Sequence, residues 1–189
     1  AVKAFDLSYD YIINPNEKVA DKGHKTEEAI NTIDEKLTRY LISLSSEALS
    51  QKESEVLTNI LDSSRDLERI GDHAEALINL NDYLQRKNVQ FSEAALEELA
   101  EIYLKTSEFV KDALESVENN DLEKAQALIE RHEDINKMER VLRKTHIKRL
   151  NNGECSTQAG VNFIDIISHY TRVSDHAMNL AEKVLAEQI

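Results

Sequence analysis

At 100° per residue, Ile60, Ser64, Leu67, Gly71, Ala74 and Ile78 fall on one narrow stripe. That periodicity predicts a helix with one face turned to a core. The helix is expected from about residue 50 to about 87. Downstream, Ser92 is a good N-cap with acidic residues in the first turn, and it opens a helix to about 118. "ENND" makes a turn, and Asp121 caps a further helix to about 150. Gly153 in "NNGE" is placed to end it, and a last helix follows from about 156 to 187. Near the start, "NPN" separates residues 1–13 from a helix running to about 45. One proline and four glycines in 189 residues leave little punctuation, so the chain reads as all-α, with long helices and few turns.

The elements repeat. Displaced by 105, "NPNEKVADKGHKTEEAIN" (Asn14–Asn31) lies over "NNDLEKAQALIERHEDIN" (Asn119–Asn136). Asn14, Ala20, Glu28, Ile30, Asn31 and Leu37 meet Asn119, Ala125, Glu133, Ile135, Asn136 and Leu142. At an offset of 103, Asn59, Asp62, Arg69, Asp72, His73, Ala74 and Leu77 meet Asn162, Asp165, Arg172, Asp175, His176, Ala177 and Leu180. The change of offset is expected in the turn after residue 44. Two tandem three-helix bundles related by pseudo-symmetry follow, residues 1–88 and 89–189. In this register residues 1–13 correspond to 106–118, so the first helix of repeat one is truncated. Roughly a dozen residues are expected upstream of Ala1, which reads as the start of a fragment or a processed chain.

Composition narrows the function. Lys and Arg total 23 against 36 Asp and Glu, a formal charge of −13. That balance argues against nucleic acid, whose phosphates need clustered cations. It also opposes simple adsorption to an anionic membrane. The one basic cluster is Lys137, Arg140, Arg143, Lys144, Lys148 and Arg149. It reads either as a helix end complementing its own dipole or as a patch for phosphate or anionic headgroups. Cys155 is the only cysteine, so no intrachain disulfide can form and a reducing compartment fits. No run of 18 apolar residues and no signal peptide is visible.

The chemistry sits on the repeated motif. Glu68 and Asp72 are one turn apart and share a flank with Glu75 and Asn79. They are either a solvated acidic flank answered by Arg65 and Arg69, or carboxylates awaiting a cation. Asp62, Asp66, Arg69 and His73 lie on the face away from the stripe. In the second copy Thr171 replaces the glutamate. Asp175 remains, with Glu182 two turns on, and Asp165 and His169 are i,i+4 with His176 beyond. No Glu-x-x-His pair, Gly-rich phosphate loop, nucleophile elbow or Cys-x-x-Cys occurs, and no nucleophile is placed near a base. A carboxylate-bridged metalloenzyme is disfavoured on that ground. A plain helical interaction module stands as the simpler rival.

"DLERIGDHAEAL" and "YTRVSDHAMNLAE" together resemble the paired signature of PhoU-domain proteins. The likeness covers essentially the whole chain, including "EEAIN" and "HEDIN". Ile30 to Leu77 looks most like the PhoU-like domain C-terminal to Na⁺/phosphate cotransporter membrane domains. The resemblance implies two pseudo-symmetric three-helix bundles and a non-enzymatic, cytoplasmic role in controlling phosphate uptake. The expected partner is a membrane phosphate transporter domain, in cis or in trans, at the inner face of the membrane. Free-standing members act with a transporter and a sensor kinase. Family members can carry multinuclear metal clusters, often iron, on Glu/Asp-x-x-x-Asp motifs. That motif carries over to Glu68 and Asp72, and in the second copy to Asp175 alone. Glu27 is kept, with His132 at its second-repeat position, and Asn31 and Asn136 stand where aspartate is common. The expected ligands are Glu68, Asp72 and Asp175, with Glu27, Asp62, Asp66, Asp165 and His169 as further candidates. The expected ions are Fe, Zn or Mn. A homodimer through an apolar groove left by the truncated helix is a further expectation.

Overall fold

The computed structural model describes residues 1–45 and 49–186. Six helices follow in order: α1 (Val2–Ile13), α2 (Glu17–Ser45), α3 (Gln51–Arg86), α4 (Glu93–Asn119), α5 (Leu122–Asn151) and α6 (Thr157–Leu185). The expected turn that absorbs the change of offset includes residues 46–48, and the expected end at 187 also lies outside the described residues. Polar side chains start the helices. Ser50 forms a reciprocal capping box with Glu53. Ser92, Asp121 and Ser156 accept from the N–H groups of Ala95, Lys124 and Ala159. Left-handed residues end three of them: Asn88 (φ 51°), Asn120 (φ 48°) and Gly153 (φ 72°). Glycine takes that conformation freely and asparagine tolerates it.

α1–α3 form one bundle and α4–α6 the second, joined through α3 against α6 and α1 against α4. One core serves both. Phe5, Ile70 and Leu77 of the first repeat share a buried cluster with Phe109, Phe163 and Tyr170 of the second. Phe5 meets the Tyr170 ring edge-on at 5.4 Å. Tyr103 and Ser107 of α4 donate to Asp6 of α1 at 2.7 and 2.9 Å, which fixes the two first helices side by side.

α3 departs from the single stripe. Ser64, Gly71, Ala74 and Ile78 are buried as expected, but Ile60 and Leu67 are only half-buried, while Ile70 and Leu77 are fully buried. The reason is that α3 is packed on two sides. α2 covers one, where Ser64 donates to Asp34 at 2.6 Å and Ile30 lies over Gly71. The shared core takes Ile70 and Leu77. The face carrying Asp66 and His73 is not turned to water either, because α6 packs there. No helix among the described residues is long and apolar enough to cross a membrane.

Candidate functional site

The facing flanks of α2 and α3 gather Glu27, Glu68 and Asp72 with Glu75, His24 and Asn31. Gly71 is what brings them close. A Cβ there would sit 3.1 Å from the Ile30 side chain, so glycine lets α2 approach one residue before Asp72. Glu27 is buried, only 6% exposed, and accepts from Asn31. Burial pushes its pKa up, and the neighbouring Glu75 and Asp72 push the same way. Burial and then Asp72 likewise raise Glu68. Arg69 reaches Asp72 at 3.0 Å but is itself mostly exposed. His24 Nδ1 lies 3.2 Å from Glu75. Negative charge here exceeds its local compensation, which is the electrostatic condition for taking up a cation.

The second copy of this site is closed. His132 occupies the position of Glu27, and its Nε2 lies 2.9 Å from Asp175 Oδ1. Thr171, in place of Glu68, donates to the Ile167 carbonyl at 3.1 Å. Glu139 is held by Arg143, which also donates to Ser168 at 2.8 Å. Asp175 is therefore engaged by an imidazole, and the position one turn before it carries the Thr171 hydroxyl in place of a carboxylate.

Asp62, Asp66, Asp165 and His169 belong to neither copy. They line the α3–α6 junction. Asp66 accepts from Nδ1 of His176, from Asn179 and from Lys183 at 3.0, 2.9 and 3.0 Å. Burial opposes its charge, but the bonds from His176, Asn179 and Lys183 outweigh it and hold its pKa below the ordinary value. Asp62 lines the same cleft and pairs loosely with Arg65 at 3.8 Å. At the other end His169 faces His73, Nδ1 to Nδ1, at 3.1 Å, beside Asp165. The eight candidate ligands thus fall into three places. The structure adds Glu75, His24 and the Asp66–His176–Lys183 network to them. The offset of 103 holds the signal for the junction, because it carries Asp66 onto His169 and His73 onto His176.

Among the described residues, no group of three or more His, Cys, Asp or Glu side chains converges tightly enough to enclose an ion. The donor types still discriminate. Glu27, Glu68, Asp72 and Glu75 offer carboxylate oxygens with surplus charge, which suits hard cations. The His132–Asp175 pair is mutually satisfied and does not fit a carboxylate-bridged cluster. The basic cluster on α5 is half used within the chain: Arg149 pairs with Glu98, Arg143 with Glu139, and Lys137 with Glu133 and Asp134. Cys155 Sγ lies 3.8 Å from the Nε2 of His146, whose ring stacks on Phe163.

Comparison with known proteins agrees with this architecture. The PhoU domain profile matches residues 1–80 and 99–184. A curated protein of Thermotoga maritima, the phosphate-specific transport system accessory protein PhoU homolog 1, is 31% identical over 134 residues, 71% of this chain. The match spans 57% of that relative's length. PhoU from Pseudomonas aeruginosa superposes over 100% of this chain and 90% of its own with a TM-score of 0.88 at 18% identity. The phosphate transport system regulatory protein PhoU from Streptococcus pneumoniae gives 0.83 at 20% identity, over 97% and 86%. These two likenesses establish the six-helix fold. The chain belongs to the PhoU domain family.

Proposed function

We propose that this member of the PhoU domain family is a non-enzymatic regulator of inorganic phosphate transport that docks on a membrane phosphate transporter at its cytoplasmic face. What carries the reading is the family match across both repeats, with a relative named for phosphate-specific transport. The preferred arrangement is in cis, as the PhoU-like domain of a Na⁺/phosphate cotransporter-like protein. The alternative is a free-standing regulator acting in trans on a transporter and a sensor kinase. Glu27, Glu68 and Asp72 would hold Fe, Zn or Mn. A bound ion there would supply a positive centre for anionic phosphate, and the chain's own part is to keep those carboxylates close on α2 and α3. A homodimer through the exposed apolar end of the first repeat belongs to the same proposal.

The test is phosphate uptake by cells carrying the full-length protein with or without residues 1–189. A change in Na⁺-dependent uptake supports the cis reading, and a change in Na⁺-independent uptake the trans one. Unchanged uptake in both regimes overturns regulation. Metal content of purified protein, wild type beside Glu68→Ala/Asp72→Ala, tests the ion site separately.

A further inference from the structure

The offset of 103 exchanges the two ends of the α3–α6 junction. At one end Asp66 meets His176, and at the equivalent end His169 meets His73. The first end is electrostatically complete, since one carboxylate accepts from an imidazole, an amide and an ammonium. At the second end a histidine replaces the acid. Two imidazoles then face each other with Nδ1 atoms 3.1 Å apart and ring centroids 5.2 Å apart. A single proton between these nitrogens makes one ring the donor and the other the acceptor, so the contact holds no charged partner. Beside them opens a cavity of about 430 Å³ lined by His73, Asp165, Ser168, His169 and Arg172. Asp165 stands one helical turn from His169 and is exposed.

We propose that His73 and His169 form a site for a borderline divalent cation of the Zn²⁺ type, with Asp165 and water completing its shell. Two imidazole nitrogens on one tetrahedral zinc, each about 2.0–2.1 Å from the metal, lie roughly 3.3 Å apart. The Nδ1 atoms already stand near that separation. No third ligand converges as placed, so Asp165 closes the shell by turning its side chain about the α6 face it shares with His169. Arg172 is exposed and its long stem lets the guanidinium turn to water. Imidazole suits Zn²⁺ better than it suits hard cations such as Mg²⁺ or Ca²⁺. A metal here would staple α3 to α6 and so one repeat to the other. The inference rests on the junction geometry alone and stands apart from the regulatory reading.

Calorimetric titration of the EDTA-stripped chain with Zn²⁺ tests it. One site should weaken at least tenfold in His73→Gln and in His169→Gln, and persist in Glu68→Gln/Asp72→Asn. In the wild type, ¹⁵N imidazole spectra should show Zn²⁺ shifting the Nδ1 signals of His73 and His169. That measurement decides the matter even where a variant fails to fold. Zn²⁺ titrations of both histidine variants that match the wild type, or shifts confined to His24 and His132, overturn the site.

Discussion

α3 and α6 are the same helix twice, yet they live in different surroundings. α6 buries fourteen of its 29 residues, beginning at Ala159. α3 buries eight of 36 and none before Ser64. Arg69, Asp72, His73, Ala74 and Leu77 recur in α6 as Arg172, Asp175, His176, Ala177 and Leu180, so the shared motif does not make the difference. It comes from the neighbour. α4 has 27 residues and reaches the start of α6 with Ala95, Leu99 and Ile102 buried. Among the described residues α1 spans Val2–Ile13, and the start of α3 is exposed. Leu41, Leu44, Val56 and Ile60 line an apolar groove there. Burial along a helix is thus set by what packs on it, while the helix itself is set by local pattern and caps.

The sharpest way to break that comparison is to truncate the same position in both repeats. Phe163 is fully buried, and Ile60, at its equivalent place, is half-exposed. Phe163→Ala should cost about 3–5 kcal/mol, the range for a large core aromatic. Ile60→Ala should cost only about 1 kcal/mol, in proportion to the area it hides. Urea unfolding midpoints read both. Equal losses would mean that the start of α3 is covered in solution. The next largest effect belongs to the junction. Asp66→Ala leaves Lys183, only 13% exposed in its side chain, without a carboxylate, and should cost about 2–3 kcal/mol. At the other end His169→Ala removes one neutral contact and should cost about 1 kcal/mol. A reversed order would show that the His–His end bears the junction.

The acidic flanks differ in the opposite sense. Glu27 is buried among like charges, while His132 is paired with the Asp175 carboxylate. Glu27→Gln keeps the shape and the contact with Asn31 but removes the charge. In chelator it should stabilise the protein by about 0.5–1 kcal/mol, seen as a higher urea midpoint. A lower midpoint would mean that the charge is already compensated. A stabilising loss of charge at a site kept for binding is a common cost of function.

Much of this was readable from sequence. The six helices start and stop within a few residues of where caps and turns put them, because Ser92, Asp121 and Gly153 act locally. The i,i+4 spacing of Glu68 and Asp72 puts them on one flank of α3, and Glu27 of α2 lies near both. The second face of α3 was not legible, because a single helical wheel shows one stripe and cannot reveal a second neighbour. For the same reason Asp66 and His73 read only as lying on the face away from the stripe. Their partners His176 and His169 lie 110 and 96 residues away. Only the pairing of the two repeats across the junction, not the periodicity of either, brings them together.

The subtlest test separates the two titrating regions by sign. His73 has its pKa lowered to about 4 from an ordinary 6.5, and His169 is lowered as well. The unfolded chain therefore binds more protons than the folded one between those values. The stability they allow is full above pH 6.5 and is lost as pH falls toward 4. Glu27 and Glu68 are raised above 4.5, so the folded state holds their protons more tightly, and acidification from neutral pH toward that range restores stability. The two slopes oppose each other in the wild type. His73→Gln removes part of the first and leaves the second, so in chelator its melting temperature should fall less than that of the wild type between pH 6.5 and 4. Parallel curves for the two proteins would mean that protons leave the His73–His169 contact intact, and that the polar hold on the junction lies with Asp66 and its three donors.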